Sequence, residues 1–296
     1  MVILTVVILI FLLTQLFGDP VRIMLPPSAP ETAREGLREF LGLNDPFGTR
    51  FYRFMLDYVT LDFGISFWQR SPNLALITEA LPITLFLGAC SVTLAIVLGG
   101  ILGVMAGIMP NTPVDYVVRV ISFLSISIPY FWVALMLVVI FAVFLRWLPT
   151  SGFALDAKHV VLPLITLSLR AVGRMANIMR SSVIEIMRMQ YIVTARSKGI
   201  SEARVVLNHV LKNSFPTMLV MAIYDLGRMF AGHALVTEVI FQWPGLARLT
   251  YQSLTHRDLP LVGACAFFLA VIVGVLNLAV DISIAFLNPR IVYSNS

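Results

Sequence analysis

Between Ile83 and Met109 the chain runs through 27 residues without one charged side chain. At about 1.5 Å per residue a helix of that length reaches ~40 Å, more than the ~30 Å hydrocarbon core of a bilayer. Inside hydrocarbon every backbone N–H and C=O needs a partner within the segment, so the segment has to be helical. Comparable apolar runs recur at Val2–Phe17, Val117–Leu145, Leu162–Ser182, Pro216–Phe241 and Leu261–Phe286. The whole chain is 58% hydrophobic and only 12% charged, where a soluble domain carries roughly 25% charged residues. The predicted class is therefore an all-α polytopic membrane protein with six transmembrane helices. Val2–Phe17 lacks the basic start and small-residue cleavage site of a signal peptide, so it reads as a membrane helix of about minimal length.

Several features predict how these helices pack. Ser91, Ala95, Gly99, Gly103 and Gly107 recur every four residues, a small-residue stripe that lets another backbone approach closely. Ala266, Ala270 and Gly274 are in phase in the last run. The serine-rich stretch ending at Pro129 should bend the third span, because proline removes a backbone bond; pore lining and plain packing both account for such a bend. Pro110–Asp115 reads as a tight turn and Leu148–Val161 as an outer loop. Residues 1–80 are expected to form a first transmembrane helix plus an external segment, with short helices at Thr32–Leu41 and Thr49–Leu61. Phe51, Phe54, Met55 and Tyr58 share one side of the second. Residues 81–296 then form a five-helix core. Cys90 and Cys265 fall in apolar runs and read as packed hydrophobes.

The longest polar interruption in the later two thirds is Glu185–Pro216. It reads as two short helices meeting at a glycine. The first, about Glu185–Lys198, ends on Arg196 and Lys198, cations suited to the negative end of a helix dipole. Gly199 follows where a left-handed cap is needed. Ser201 is placed to cap the second helix with Glu202 in its first turn. Val206, Leu207, Val210 and Leu211 are expected along one apolar side. Arg188–Lys212 holds five basic residues against one acidic, which marks this loop as cytoplasmic. Six spans then put both termini in the cytoplasm and residues 18–80 outside. The net charge of +5 is not gathered into an arm or finger, so it indicates topology rather than nucleic-acid binding.

The run from Tyr191 through Thr194, Ala195, Arg196 and Lys198 to Gly199, followed by His209 and Asn213, resembles the cytoplasmic signature of ABC importer permeases. More narrowly it is similar to the B-type subunit of dipeptide, oligopeptide and nickel importers. The general signature is Glu-Ala-Ala, three residues, Gly, nine residues, Ile-x-Leu-Pro. Ala195, Gly199 and Leu211 fit it, while Val193, Thr194, His209 and Lys212 stand where Glu, Ala, Ile and Pro would. Pro216 stands one residue earlier, relative to Asn213, than in the subfamily. Further matches in family order are Gly18-Asp19-Pro20, Asp62–Ser66, Arg180-Ser181-Ser182, the Thr237–Leu246 run and Asn288–Ile291. Members usually begin with an arginine-bearing leader, so the resemblance implies a first helix longer than Val2–Phe17.

The resemblance implies the type I importer permease fold and a location in a bacterial or archaeal plasma or inner membrane. It implies a homologous second permease, two ATPase subunits and an external substrate-binding protein, with a peptide or similar small solute as cargo and lipid around the helices. The helix–Gly–helix element would be the coupling helix that sits in an ATPase groove, with Glu185, Tyr191, Thr194, Ala195, Arg196, Lys198, Gly199, His209 and Asn213 as its residues. An amphipathic helix resting on anionic lipid is the alternative reading of the residues alone. Glu238, Trp243, Pro244 and Gly245 would close the outer mouth, with Trp243 as an interfacial anchor and Pro244-Gly245 a turn.

The chain has no GxxxxGK[ST] phosphate loop, no HExxH, CxxC or GxSxG, and four scattered histidines. No catalytic residue, metal site or cofactor is expected in this chain; ATP and Mg2+ belong on the partner ATPases. Charges inside spans are expensive, which singles out Arg170, Arg174, Asp225 and Arg228. Asp225 and Arg228 are three residues apart and are expected either to neutralise each other or to line the path. If the arginines face that path, carboxylate-bearing cargo is favoured. Asp225 with Arg228 is also the one feature that fits an ion-coupled secondary transporter, which would ordinarily show internal repeats; none is visible here.

Overall fold

The computed structural model describes residues 2–16, 21, 25, 28–40, 42–154 and 156–287. The Gly18-Asp19-Pro20 and Asn288–Ile291 matches, and Phe17, lie outside the described residues. Among the described residues the chain is helical, with one isolated bridge between Ile65 and Pro72. Two compact units divide it: Met1–Thr84 with Pro244–Gly274, and Leu85–Trp243 with Val275–Ser296.

The first unit contains α1 (Val2–Leu16), α2 (Glu31–Phe40), α3 (Phe47–Thr60), the start of α4 (Asn73–Ile108), α10 (Leu246–Thr255) and most of α11 (Leu259–Leu287). The two short helices expected at Thr32–Leu41 and Thr49–Leu61 thus form close to where hydrophobic spacing puts them. The predicted face of α3 is its packed face: Tyr58 is buried with Phe54 and Met55 against it. Its rings interlock, Tyr58 lying 5.1 Å from Phe63 and 5.3 Å from Phe267. Phe11 of α1 sits edge-on to Phe51 at 5.2 Å.

The Asp62–Ser66 run has a structural role here. Asp62 Oδ1 accepts the Gly64 N–H at 3.1 Å, and Gly64 takes φ +69°, a left-handed value that glycine adopts without penalty. This turn swings Ser66 to Asp258, a fully buried carboxylate just before α11. Ser66 Oγ donates to Asp258 Oδ2 at 2.5 Å and the Trp68 N–H donates to the same oxygen at 3.1 Å. Asp258 Oδ1 accepts the Leu261 N–H at 3.3 Å. One carboxylate therefore caps a helix start and fastens a loop nearly two hundred residues away in sequence.

The second unit holds the rest of α4 with α5 (Pro113–Ser127), α6 (Tyr130–Leu137, extended by a wide turn over Val138–Phe144), α7 (Ala157–Met187), α8 (Gln190–Ser197) and α9 (Glu202–Ile240). The small-residue stripe of α4 meets α7 as its period predicts. A Cβ on Gly99 would lie 2.8 Å from the Val172 carbonyl oxygen, one on Gly103 2.6 Å from that of Ala176, and one on Gly107 3.0 Å from that of Arg180. Both series advance by four residues, so the two helices run in contact over at least two turns. Ser91 and Ala95 are fully buried.

Elsewhere the boundaries differ from expectation. The third span is broken, not merely bent: α5 and α6 meet at 103°. Ile128, ahead of Pro129, is extended with ψ 132°, the conformation proline imposes on its predecessor, and the helix stops there. The serines do not bridge the break. Ser122 and Ser125 are buried against Gly173 of α7, where a Cβ would lie 2.9 Å from the Ser122 carbonyl oxygen. The fourth span starts at Ala157, not Leu162, because Asp156 Oδ1 accepts the His159 N–H at 2.9 Å. Those bonds to His159 hold the Asp156 carboxyl below its usual range. The same helix runs to Met187, past the expected Ser182.

The fifth span does not begin at Pro216. That proline lies inside a helix continuing from Glu202, with wide turns at Val206–Leu211 and Met229–His233 and a kink at Gly232, whose φ of 159° and ψ of −22° leave the helical region. Among the described residues four helices can cross a membrane by length and composition, and the α5–α6 pair makes a fifth. α1, at 15 residues, is shorter than the ~20 a straight span needs.

Candidate functional site

Two groups of predicted residues are assembled in the second unit. The first is the polar link between α7 and α9. Glu185 does not start its own helix; it is an exposed residue in the last turn of α7. The chain then breaks at Arg188-Met189 and α8 begins at Gln190. Its end is a left-handed cap: Gly199 has φ +78°, its N–H reaches the Arg196 carbonyl at 2.9 Å, and the Ile200 N–H reaches the Ala195 carbonyl at 3.3 Å. That paired pattern satisfies carbonyls that a helix end leaves open. No atom lies within 4 Å of a Cβ built on Gly199, so the glycine is required by backbone conformation and not by space.

Ser201 stands at the N-cap position, but its side chain makes no capping bond. Glu202 turns instead to Arg196 across the glycine. Arg196 Nε donates to Oε1 at 2.7 Å and Nη2 to Oε2 at 3.1 Å, a two-pronged pair that closes the turn. The signature residues Tyr191, His209 and Asn213 come together on the other side. Asn213 Nδ2 donates to the His209 carbonyl at 2.6 Å and to Tyr191 Oη at 3.3 Å, and the Tyr191 and His209 rings are 6.5 Å apart. Thr194 Oγ1 donates back to the Gln190 carbonyl at 3.1 Å.

The apolar side of this element follows periodicity in part: Val210 is buried and Val206 and Leu211 are half-buried, but Leu207 is turned out. Ile192, Ala195, Val205 and Val210 are the buried residues, whereas Leu207 is 63% exposed. The wide turn at Val206–Leu211 departs from a regular helix, so a 3.6 period counted from Val206 misplaces Leu207. Tyr191, Val193 and Leu207 are left outward, and Lys198 is exposed as well.

The second group lies within α7 and α9. Asp225 does not pair with Arg228. It is 4% exposed and forms its ion pair with Arg174 of α7, through Arg174 Nη1 and Asp225 Oδ1. Helices α7 and α9 pack together, and this pair locks them within apolar spans, where each isolated charge costs ~2.5–3.5 kcal/mol on insertion scales. Arg228 is exposed, its guanidinium 5.8 Å from the Tyr224 ring centre. Arg170 lies over Tyr130 at 5.4 Å, and Tyr130 Oη is 3.0 Å from His233 Nδ1. Tyr130 and His233 escape a reading of the sequence, because nothing about their spacing joins positions about a hundred residues apart.

A third ion pair was also invisible in sequence. Asp115, fully buried, holds Arg180 of α7 through both carboxylate oxygens, the Nη2–Oδ2 bond being 2.8 Å, and accepts the Asn111 N–H at 2.9 Å. Arg180 appears in the sequence as a match near the membrane edge; its partner is the residue expected to end a turn. The four residues expected at an outer gate are placed as follows. Glu238 is fully buried in α9. Trp243 is no interfacial anchor: it is fully buried, edge-on to Phe153 at 4.8 Å. Gln242 before it takes φ +54°, so that the Trp243 N–H reaches the Glu238 carbonyl at 2.8 Å. In the first unit, Pro244 and Gly245 line a cavity of about 300 Å3 with Gln69, Glu79, Arg248 and Gln252.

Apolar helices long enough to cross a membrane, with buried ion pairs among them and an exposed helix–turn–helix between two of them, are the marks of a multi-pass membrane protein. Comparison with known proteins gives the family. Residues 99–293 match the family described as binding-protein-dependent transport system inner membrane component. The chain is 35% identical to the oligopeptide transport system permease protein AppB of Bacillus subtilis, covering 93% of this chain and 90% of that protein. It is 34% identical to the glutathione transport system permease protein GsiC of Escherichia coli K12, covering 97% and 93%. It is also 34% identical to a putative peptide transport system permease protein of Brucella suis, covering 99% and 95%. Its fold is shared with a chain of the MetNI methionine ABC transporter in an inward-facing conformation, with a TM-score of 0.59 and 18% identity over 72% of this chain and 97% of that one. The chain belongs to the binding-protein-dependent transport system inner-membrane family. It is a multi-pass permease subunit of an ABC importer, and the ion-coupled alternative is set aside.

Proposed function

We propose that this subunit carries peptides or closely related small solutes and forms half of a translocation path with a homologous permease. Two ATPases lie beneath and hold ATP and Mg2+; a substrate-binding protein delivers cargo from outside. Both termini are cytoplasmic. The named relatives, which include oligopeptide, glutathione and putative peptide permeases, support the cargo class.

The observation that carries the coupling role is the Gly199 turn. It is braced by Arg196–Glu202 on one side and by Tyr191, His209 and Asn213 on the other, and it presents Val193 and Leu207 outward. Leu207 and Val193 are exposed although apolar, which suits a helix seated in a partner's groove. α8 and the start of α9 adjoin α7 and the rest of α9, so force on the turn is delivered to the helices bearing Arg170, Arg174, Asp225 and Arg228. We assign these four to the path, and Glu238, Trp243, Pro244 and Gly245 to its outer closure.

The test is purification in mild detergent after co-expression with the neighbouring genes. A second permease and ATPases should co-purify, and Leu207→Glu should release the ATPases while the permease pair persists. Proteoliposomes of the complex with its binding protein should take up labelled dipeptide only with internal or external ATP on the ATPase side. Retention of the ATPases by Leu207→Glu at unchanged yield overturns the coupling assignment; uptake that follows a proton gradient instead of ATP overturns the importer reading.

A further inference from the structure

The charge cluster between α7 and α9 is not balanced. Arg170, Arg174 and Arg228 bring three positive charges and Asp225 one negative, and Asp225 is committed to Arg174. Arg170 stands one turn before Arg174 on α7 and Arg228 one turn beyond Asp225 on α9, so both flank the Arg174–Asp225 contact. Arg170 Nε is buried and has no hydrogen-bond partner among the described residues. A guanidinium N–H in that position is a donor awaiting an acceptor. Arg170 is held over the Tyr130 ring, whose hydroxyl bonds His233 and also takes up part of the guanidinium's hydrogen bonding, while Nε is left without an acceptor. Arg228 is exposed on α9 three residues beyond Asp225, in a helix otherwise apolar enough to cross a membrane.

We infer that Arg170 and Arg228 form a binding site for a cargo carboxylate, with the Arg174–Asp225 pair as its fixed floor. Guanidinium groups present planar donors that match a carboxylate, and the surrounding apolar helices strengthen the attraction by excluding water. The surplus charge disfavours cargo without an anionic group. Arg174 would hold Asp225 in place so that Asp225 does not compete for Arg170 or Arg228. The inference rests on the proposal that α7 and α9 line the path.

The experiment uses the whole complex, with partner permease and ATPases, in nanodiscs without binding protein or nucleotide. Alanylalanine and its C-terminal amide are titrated by isothermal calorimetry. The free acid should bind at least ~10-fold more tightly than the amide, the size expected for a charge-assisted bond in a dry site. Arg170→Gln and Arg228→Gln should each bring the two ligands to within about twofold of each other. Lys158→Gln, a charge lost at the exposed start of α7, should leave the preference intact. Equal binding of acid and amide to the unaltered complex overturns the site. So does loss of the permease pair in Arg228→Gln without any ligand preference, which assigns that charge to a carboxylate of the partner permease. The path proposal has its own readout: Arg228→Cys, in a background lacking Cys90 and Cys265, should react with a membrane-impermeant thiol reagent. Labelling without ligand preference sinks the carboxylate site alone; absence of labelling sinks the path assignment.

Discussion

Gly99 and Gly100 are neighbours on α4, yet the structure predicts opposite responses to alanine. A Cβ at position 99 would sit 2.7 Å from Met175 Cβ, 2.8 Å from the Val172 carbonyl oxygen and 3.2 Å from the Ala176 nitrogen. Two of those three atoms are α7 backbone and cannot rotate away. Restoring ordinary separations of ~3.5 Å or more requires α4 and α7 to part by roughly 0.7 Å, and a gap of that order forfeits a quarter to a half of each dispersion contact along the stripe. Overpacking of this kind costs about 1–3 kcal/mol. At about 2–4 °C per kcal/mol for a chain of this length, Gly99→Ala should lower the melting temperature by ~2–12 °C. At position 100 the Cβ meets only Met218 Sδ at 3.4 Å and Cε at 3.5 Å, the far end of a flexible side chain, and alanine's helix propensity offsets the contact by up to ~1 kcal/mol. Gly100→Ala should stay within about 2 °C of the parent. Gly274→Ala, with nothing within 4 Å, is a second control. The assay is thermal unfolding of the detergent-purified chain followed by light scattering and tryptophan emission. If Gly99→Ala and Gly100→Ala melt together, the close α4–α7 contact is refuted.

At the Gly199 turn, valine should cost ~1–2 kcal/mol of backbone strain and uncouple transport, while Gly199→Asn retains uptake because asparagine tolerates the left-handed region; ATPase activity and uptake measured on one preparation decide this. Asp225→Asn should reduce the amount of folded protein in the membrane severely, since removing one partner of a buried pair costs about 3–5 kcal/mol. The Arg174→Gln/Asp225→Asn double variant should recover much of that level on quantitative blotting, and failure to recover would show that the pair is not the reason. Ser66→Ala removes a donor to buried Asp258 and should cost ~1–3 kcal/mol, read as faster proteolysis of the Asp62–Ser71 loop.

The sequence alone was enough for what depends on counting residues along one helix. Uncharged runs longer than a bilayer is thick require buried helices, and a four-residue recurrence of small side chains requires a close helix contact; Gly99, Gly103 and Gly107 make that contact. A positive φ at Gly199 followed from its place after the last turn of α8, because few other residues take that conformation cheaply. What depends on the partner across space was not legible. Asp225 stands three residues from Arg228 but pairs with Arg174, fifty-one positions away, because helix packing and not sequence distance chooses an ion's neighbour. Asp115 with Arg180, Ser66 with Asp258 and Tyr130 with His233 are of the same kind. In the polar link between α7 and α9 Val210 kept to the expected buried side, but Leu207 did not, because the wide turn there displaces it outward. Trp243 went inward because Gln242 adopts a left-handed conformation that turns the chain back. Periodicity decides which side of a helix is apolar; only the tertiary structure decides what that side meets.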